Sequence, residues 1–229
     1  MKMNLKVIFI PILILALSVS LVLAKDPIAV IVKARGDVTV QYEKDGKRVK
    51  LKRGNKLYTG AIVIAKEKSY AALVFTDDRS QVRVRPNSIL TVEGKWEKNN
   101  IAKNIAIEVG TIFAQIAKQK TDFRVTTPTS VASVKGTSFW VQQKFKAATY
   151  YYGEDGGPTD VSNKAGSALF RAGETCIVSS ENSKPIVRKT KPGEKPEFDE
   201  ESSIDEFRLE FKNDEGDTKT VRFKTKVNK

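Results

Sequence analysis

The sequence predicts an all-β protein of many short strands, arranged in two packed sheets or in a solenoid-like β stack, with a β-hairpin at its C-terminus. Two observations support this prediction. Val, Ile, Phe and Thr alternate with polar residues in many short runs, which is the period of a strand with one buried face. Gly, Asn, Asp and Pro separate these runs, and these residues favour turns.

The most informative run is residues 123–141, FRVTTPTSVASVKGTSFWV. Pro128 has no backbone N–H to donate, so we expect the first strand to end there in a tight corner. We expect Gly136 to need a backbone torsion or a close approach that a side chain would forbid. The side chains predicted to share a face are Phe123, Val125 and Thr127 before the corner, and Thr137, Phe139 and Val141 after it.

The same run resembles the FecR domain family, whose pattern TPxxVxxVxGTxFxV it matches position by position. The matching residues are Thr127, Pro128, Val131, Val134, Gly136, Thr137, Phe139 and Val141. FecR-like domains occur in cell-envelope signalling regulators and in exported proteins. The resemblance implies a β fold in which these motif residues have structural roles. It does not identify a ligand.

The N-terminus predicts export. Residues 1–24 have a short basic start followed by the apolar run Val7–Ala24, and small residues precede Lys25, as in a cleaved signal peptide. The alternative is an uncleaved anchor, because 18 apolar residues reach the lower edge of the about 17–25 that span a membrane. We therefore expect a periplasmic or extracellular protein, with inner-membrane anchoring as the alternative.

The rest of the chain divides into three predicted parts. Residues 25–179 form the FecR-like β domain, residues 180–203 are a charged linker containing three prolines, and residues 204–229 form a hairpin. A short helix in the last part is the minor alternative. Inside the domain, we expect residues 95–104 to be a polar loop tip, Gly110 to be a turn and residues 153–158 to be a loop.

The amino-acid composition excludes several classes of active site. The chain has no histidine and one cysteine, which excludes His-containing triads, the usual zinc sites and an internal disulfide. We interpret Cys176 as a core residue and the neighbouring Asp77 and Asp78 as residues that hold a turn. We therefore predict a protein that is not an enzyme, with no catalytic residues, no metal and no cofactor.

The net charge of +13 favours an anionic partner. The residues predicted to contact a polyanion are Lys44, Lys47, Arg48, Lys50, Lys52, Arg53, Arg83 and Arg85. The competing interpretation is a solvated hairpin whose charges keep an edge strand from aggregating. Nucleic acid is not favoured as the partner, because no nucleic-acid module or row of stacking aromatic residues accompanies the charge.

These observations favour an exported, non-enzymatic FecR-like protein that binds or scaffolds in the cell envelope, through an envelope protein or an anionic polymer. One alternative is a membrane-anchored signalling regulator like the proteins that name the family. Another is a binder of anionic envelope polymers through a basic face. Contact with the membrane is expected only if the N-terminal segment is retained.

Overall fold

A computed structural model describes residues 26–43, 45–118 and 121–198 in full and the backbone of residues 207–212 and 218–223. Within these ranges the regular secondary structure consists entirely of β-strands, so the all-β prediction is confirmed. The described residues contain no helix long and apolar enough to cross a membrane. The predicted signal peptide, residues 1–24, lies outside the described ranges.

The strands follow one another in this order: β1 (Ala29–Arg35), β2 (Val38–Gln41), β3 (Val49–Lys50), β4 (Lys56–Leu57), β5 (Ala61–Ala65), β6 (Tyr70–Phe75), β7 (Gln81–Val84), β8 (Ser88–Glu97), β9 (Asn100–Gln115), β10 (Phe123–Thr126), β11 (Val131–Val134), β12 (Thr137–Gln143), β13 (Thr149–Gly156), β14 (Thr159–Asn163), β15 (Gly166–Phe170), β16 (Glu174–Val178), β17 (Ile186–Lys189), β18 (Phe207–Lys212) and β19 (Thr218–Phe223).

Strand pairing sorts β1 to β17 into two sheets. Sheet 1 has the order β4-β1-β6-β7-β9-β12-β13-β16-β17. Sheet 2 has the order β3-β2-β5-β8-β9-β10-β11-β14-β15. Strand β9 belongs to both, so the pairing forms one 17-stranded network. The pairing of β9 with β10 is parallel, whereas the other strand pairs are antiparallel.

The apolar side chains of both sheets form one buried cluster. Sheet 1 contributes Leu73, Val82, Ile112, Phe139, Val141 and Tyr151, and sheet 2 contributes Val63, Leu90, Ile105, Phe123, Val125 and Val134, among others. Burial of one such aliphatic or aromatic side chain stabilises the fold by about 1.5–3 kcal/mol. The shared cluster therefore holds the two sheets together as one domain core.

The bend that takes β9 from sheet 2 into sheet 1 lies at Gly110. Its φ is +114°, and a Cβ built there would lie 2.2 Å from the hydroxyl oxygen of Ser88 and 2.4 Å from its Cα. The N–H of Thr111 donates to that hydroxyl at 3.0 Å. The prediction of a turn at Gly110 is wrong, because the chain stays paired on both sides of the glycine and bends within one long strand.

Two other predicted loops are shorter than expected. Pairing of β8 with β9 extends from Glu97 opposite Asn100, so only Lys98 and Asn99 form the turn within residues 95–104. Strand β13 continues to Gly156, so the second turn begins at Gly157. In both places, backbone pairing with a neighbouring strand extends regular structure into a polar sequence.

The segment predicted as a linker contains a strand. In β17, Ile186 to Lys189 pair with Ile177 to Glu174 of β16, and Val187 packs against the core. The exposed-linker interpretation of residues 186–189 is therefore corrected, whereas the division of the chain into domains stays a prediction. Beyond it, β18 and β19 pair antiparallel from Phe207 opposite Phe223 to Lys212 opposite Thr218, as expected of a hairpin.

We expect Gly110→Ala to lower the free energy of unfolding by about 3 kcal/mol, since the new Cβ overlaps Ser88 in a backbone conformation unfavourable to L-residues. Urea unfolding followed by tryptophan fluorescence measures this change. Gly157→Ala is the matched control, because its Cβ would meet no atom within 4 Å. Equal stabilities of the two variants would contradict the structural importance of the bend.

Candidate functional site

The corner predicted from Pro128 is built by a cluster of buried hydroxyl groups. The N–H of Ser130 donates to the Thr127 hydroxyl at 3.2 Å, and that hydroxyl donates to the Ser130 carbonyl at 3.1 Å. The hydroxyl groups of Ser130 and Tyr151 lie 2.9 Å apart, and those of Thr129 and Thr149 lie 2.5 Å apart. These bonds fix the corner between β10 and β11, while Pro128 itself is exposed.

The hydroxyl cluster is unsuited to catalysis. Burial raises the pKa of Tyr151 to about 12, so its phenol stays protonated at neutral pH. Its partners are alcohols, which cannot act as a general base in the way that an imidazole or a carboxylate does. The cluster therefore stabilises the corner.

The remaining motif residues also lie in structural positions. Val134, Phe139 and Val141 are buried in the shared core, and the Thr137 hydroxyl lies 3.1 Å from that of Thr159. Gly136 has a φ of +107°, and a Cβ there would lie 2.9 Å from Cγ of Lys118. The motif residues thus pack the core and fix the backbone conformation.

Asp77 and Asp78 lie in a buried ion cluster with Lys103. The ammonium group of Lys103 donates to Asp77 at 2.7 Å, to Asp78 at 2.9 Å and to the carbonyl of Ile101 at 3.1 Å. The side chains of Lys103 and Asp77 are 0% and 1% exposed. The cluster joins the turn after β6 to β9, so these carboxylates hold a turn and also link it to the neighbouring sheet.

A surface cavity of about 460 Å³ lies beside this cluster and has a mixed lining. Its charged residues include Glu97, Lys103, Asp122 and Arg124. Arg124 donates to Asp122 at 3.0 Å, which neutralises both at the rim. Among the described residues, no three Cys, Asp or Glu side chains are grouped as a metal site would need. The cavity lacks a single dominant charge that would select a ligand.

Cys176 lies in the core. Its side chain is 0% exposed, and burial raises the pKa of the thiol to about 12. A thiol is a nucleophile only as its thiolate, so this residue is chemically inert in the folded protein.

A basic hairpin occupies the β2–β3 edge of sheet 2 and the loop that follows it. The exposed basic residues there are Lys47, Arg48, Lys50, Lys52 and Arg53, and the exposed Lys56 follows as the first residue of β4. Glu43 and Asp45 are exposed on the same hairpin, and Lys44 lies outside the described residues. This arrangement gives a predominantly cationic surface on an edge strand, compatible with either the polyanion interpretation or the solubility interpretation.

Arg83 and Arg85 do not join the basic hairpin, so the predicted set of contact residues is divided. Arg83 belongs to β7 of sheet 1, whereas the hairpin belongs to sheet 2. Arg83 is 5% exposed, and Arg85 donates to the carbonyl of Glu197. The strand alternation correctly places both arginines on one face, but the chain covers that face.

A continuous row of cross-strand neighbours, most of them with large side chains, runs along the outer face of sheet 1. Cross-strand neighbours along the row are Ala72, Arg83, Phe113, Trp140, Tyr152, Thr175 and Arg188, one from each of seven strands. Phe113, Trp140 and Tyr152 pack together as a second apolar cluster, separate from the core between the sheets. Sheet 1 therefore buries apolar residues on both of its faces.

Residues 190–198, which we call the strap, cover this row. Arg188 donates to Glu194 at 2.8 Å, and Lys195 donates to Glu154 at 2.6 Å. At the end of the strap, the ring of Phe198 lies 4.5 Å from that of Trp140 and 4.9 Å from that of Phe113. The strap thus completes the burial of Trp140, which is 1% exposed.

Arg83 lies under the end of the strap. Its guanidinium carbon is 4.6 Å from the ring centre of Phe198 and 5.7 Å from that of Phe113. Among the described residues, its buried Nε and the hydroxyl of Tyr70 have no hydrogen-bond partner. Burial lowers the pKa of Arg83 from its usual value and raises that of Tyr70 to about 12.

From the sequence, Trp140 could mark either a second buried face or a ligand surface, and nothing joined it to Arg83 and Arg85. Alternation placed Trp140 opposite Phe139, and Arg83 and Arg85 opposite Val82 and Val84. Joining them requires knowing that β7, β9 and β12 are neighbours in one sheet. No local signal in the sequence encodes that order.

Comparison with known proteins finds a family model that matches part of the chain. Residues 61–152 match the family model described as FecR protein, which includes the whole motif of residues 127–141. The resemblance seen in the sequence is therefore confirmed. No curated protein matches the chain.

The solved structures that are similar to this chain include the following two. Both are crystal structures of a candidate anti-sigma factor from Parabacteroides distasonis ATCC 8503, at 2.50 and 1.65 Å resolution. The sequence identities are 15% and 14%, and the TM-scores are 0.48 and 0.46. Each similarity covers 56% of this chain and 59% of the other chain.

We expect Lys103→Ala to destabilise the fold by about 3–5 kcal/mol, because it leaves two largely buried carboxylates without their cation. Urea unfolding measures the effect. Lys66→Ala is the control, since Lys66 and Asp37 form a pair at the same 2.7 Å distance but are 60% and 51% exposed. The Lys66 variant should unfold at nearly the wild-type midpoint, and an equally small effect at Lys103 would refute a structural ion cluster.

Proposed function

We propose that this chain, which matches the FecR protein family over residues 61–152, is an exported binding module of the cell envelope and not an enzyme. The observation that supports this most is the use of its buried polar groups. The hydroxyl groups around Thr127 bond to one another, and Lys103 pairs with Asp77 and Asp78. These hydroxyl, ammonium and carboxylate groups, which could otherwise take part in catalysis, therefore stabilise the fold through their hydrogen bonds and ion pairs.

Export is supported by the apolar run of residues 7–24 with small residues before Lys25. In the exported form, an all-β core without a disulfide would fold outside the cytoplasm through burial alone. The family match supports a part in signalling, in which case the partner is another protein of the envelope.

We expect the protein recovered from its host to begin at Lys25, because residues 1–24 fit a cleaved signal peptide. Intact-mass spectrometry of the protein from the soluble envelope fraction measures this. A retained Met1 in the membrane fraction would favour the anchored signalling regulator, and protein with Met1 in the cytosol would refute export. Affinity capture from envelope extract would then identify protein partners.

A second candidate function is binding to an anionic envelope polymer through the basic hairpin. Six exposed basic side chains on and after the β2–β3 edge favour it, because closely spaced cations displace the counterions that surround a polyanion. Such binding weakens steeply as the salt concentration rises. Among the described residues β3 pairs with β2 alone, so a polymer can lie along the other side of this strand.

We expect the combined change Lys50→Glu, Lys52→Glu and Arg53→Glu to abolish salt-dependent retention on a lipopolysaccharide column, since it reverses the charge of the hairpin. The matched control is Lys164→Glu, Lys184→Glu and Lys189→Glu, which makes the same change in net charge at other exposed positions. Elution of wild type at the same volume in low and high salt, or equal losses in both variants, would reject the hairpin as a polyanion site.

A further inference from the structure

The end of the strap occupies a site on the outer face of sheet 1 that has the composition of a peptide-binding site. Trp140 and Phe113 form an aromatic platform, on which the ring of Phe198 rests at 4.5 and 4.9 Å. Arg85 binds the backbone carbonyl of Glu197 and lies 5.9 Å from the Trp140 ring. One aromatic side chain and its neighbouring backbone are thus held as in a peptide complex.

The floor of this site contains more hydrogen-bond donors than the strap satisfies. Arg83 is 5% exposed and Tyr70 is 7% exposed. Within the described part of the chain, neither Nε of Arg83 nor the Tyr70 hydroxyl has a hydrogen-bond partner. A buried donor without an acceptor costs about 1–3 kcal/mol, and more when it is charged. The complementary group for the Arg83 guanidinium is a carboxylate, which accepts charge-assisted hydrogen bonds from it.

We propose that this site binds a partner peptide that presents an aromatic side chain close to a carboxylate, in place of Phe198. The ring would take the Phe198 position between Trp140 and Arg83, and the carboxylate would accept from Arg83. The proposal goes beyond the proposed function, because it concerns sheet 1, whereas the basic hairpin lies on sheet 2.

The strap is placed to give way to such a peptide without unfolding the domain. Its N-terminal side follows β17, which pairs with β16 over four residue pairs. Its C-terminal side is held by the contacts of Glu197 and Phe198, and Phe198 is 38% exposed. The end of the strap can therefore leave the aromatic platform while β17 stays in the sheet.

The test uses the full chain and a synthetic peptide, acetyl-GEKPEFDEES-amide, which copies residues 193–202 and contains a phenylalanine beside carboxylates. Phe198→Ala empties the aromatic position of the protein. We expect this variant to bind the peptide at least ten-fold more tightly than wild type, by calorimetry and by a change in Trp140 fluorescence. The control Ile186→Ala, at an exposed position of β17, should bind like wild type.

Two altered peptides test the chemistry while leaving the protein intact. Replacing phenylalanine with alanine, or all acidic residues with their amides, should each weaken binding to the Phe198→Ala variant at least ten-fold. Absence of binding to that variant, or equal binding of the acidic and amide peptides, would overturn the proposal. So would self-association of wild type that is lost on Phe198→Ala, because it would assign the site to a second copy.

These outcomes are independent of export and of the basic hairpin. Peptide binding measured on purified protein does not depend on where the protein is located in the cell. Loss of polymer retention in the hairpin variant would leave peptide binding unchanged, since the two surfaces belong to different sheets.

Discussion

The architecture depends on one strand that serves two sheets. Residues 100–109 of β9 pair with β8 in sheet 2, and residues 110–115 pair with β7 and β12 in sheet 1. The two halves are joined at Gly110, where the backbone passes too close to Ser88 for any side chain. Because β9 also pairs with β10, it fixes where the motif of residues 127–141 enters the fold. The register of both sheets is thus set by a single bent element.

The second organising feature is that sheet 1 has no fully solvated face. Its inner face packs against sheet 2, and its outer face has Phe113, Trp140 and Tyr152 under the strap. A sheet that is covered on both sides usually has helices or a second sheet on each face. Here an irregular segment covers the outer face, and its ion pairs with Arg188 and Glu154 hold it along the row.

Local sequence patterns predicted the individual strands better than they predicted which strands lie next to one another. The alternation around Phe123 and Phe139 gave the correct inward faces, because side-chain direction in a strand follows from residue parity alone. The bend at Gly110 could not be predicted, because a glycine between two alternating runs has the same local pattern as a hairpin turn. The burial of Arg83 was not predicted for a related reason. It depends on Phe198, which lies more than a hundred residues later in the chain.

The strap has a consequence for how the chain can be divided. A fragment that stops at Val178, the end of β16, would lack the edge strand β17 and the strap and would present Trp140, Phe113 and Tyr152 to water. Contiguous aromatic surface of this kind promotes aggregation. Proteolytic trimming of the chain after β16 would therefore uncover an adhesive aromatic surface that β17 and the strap cover in the intact chain.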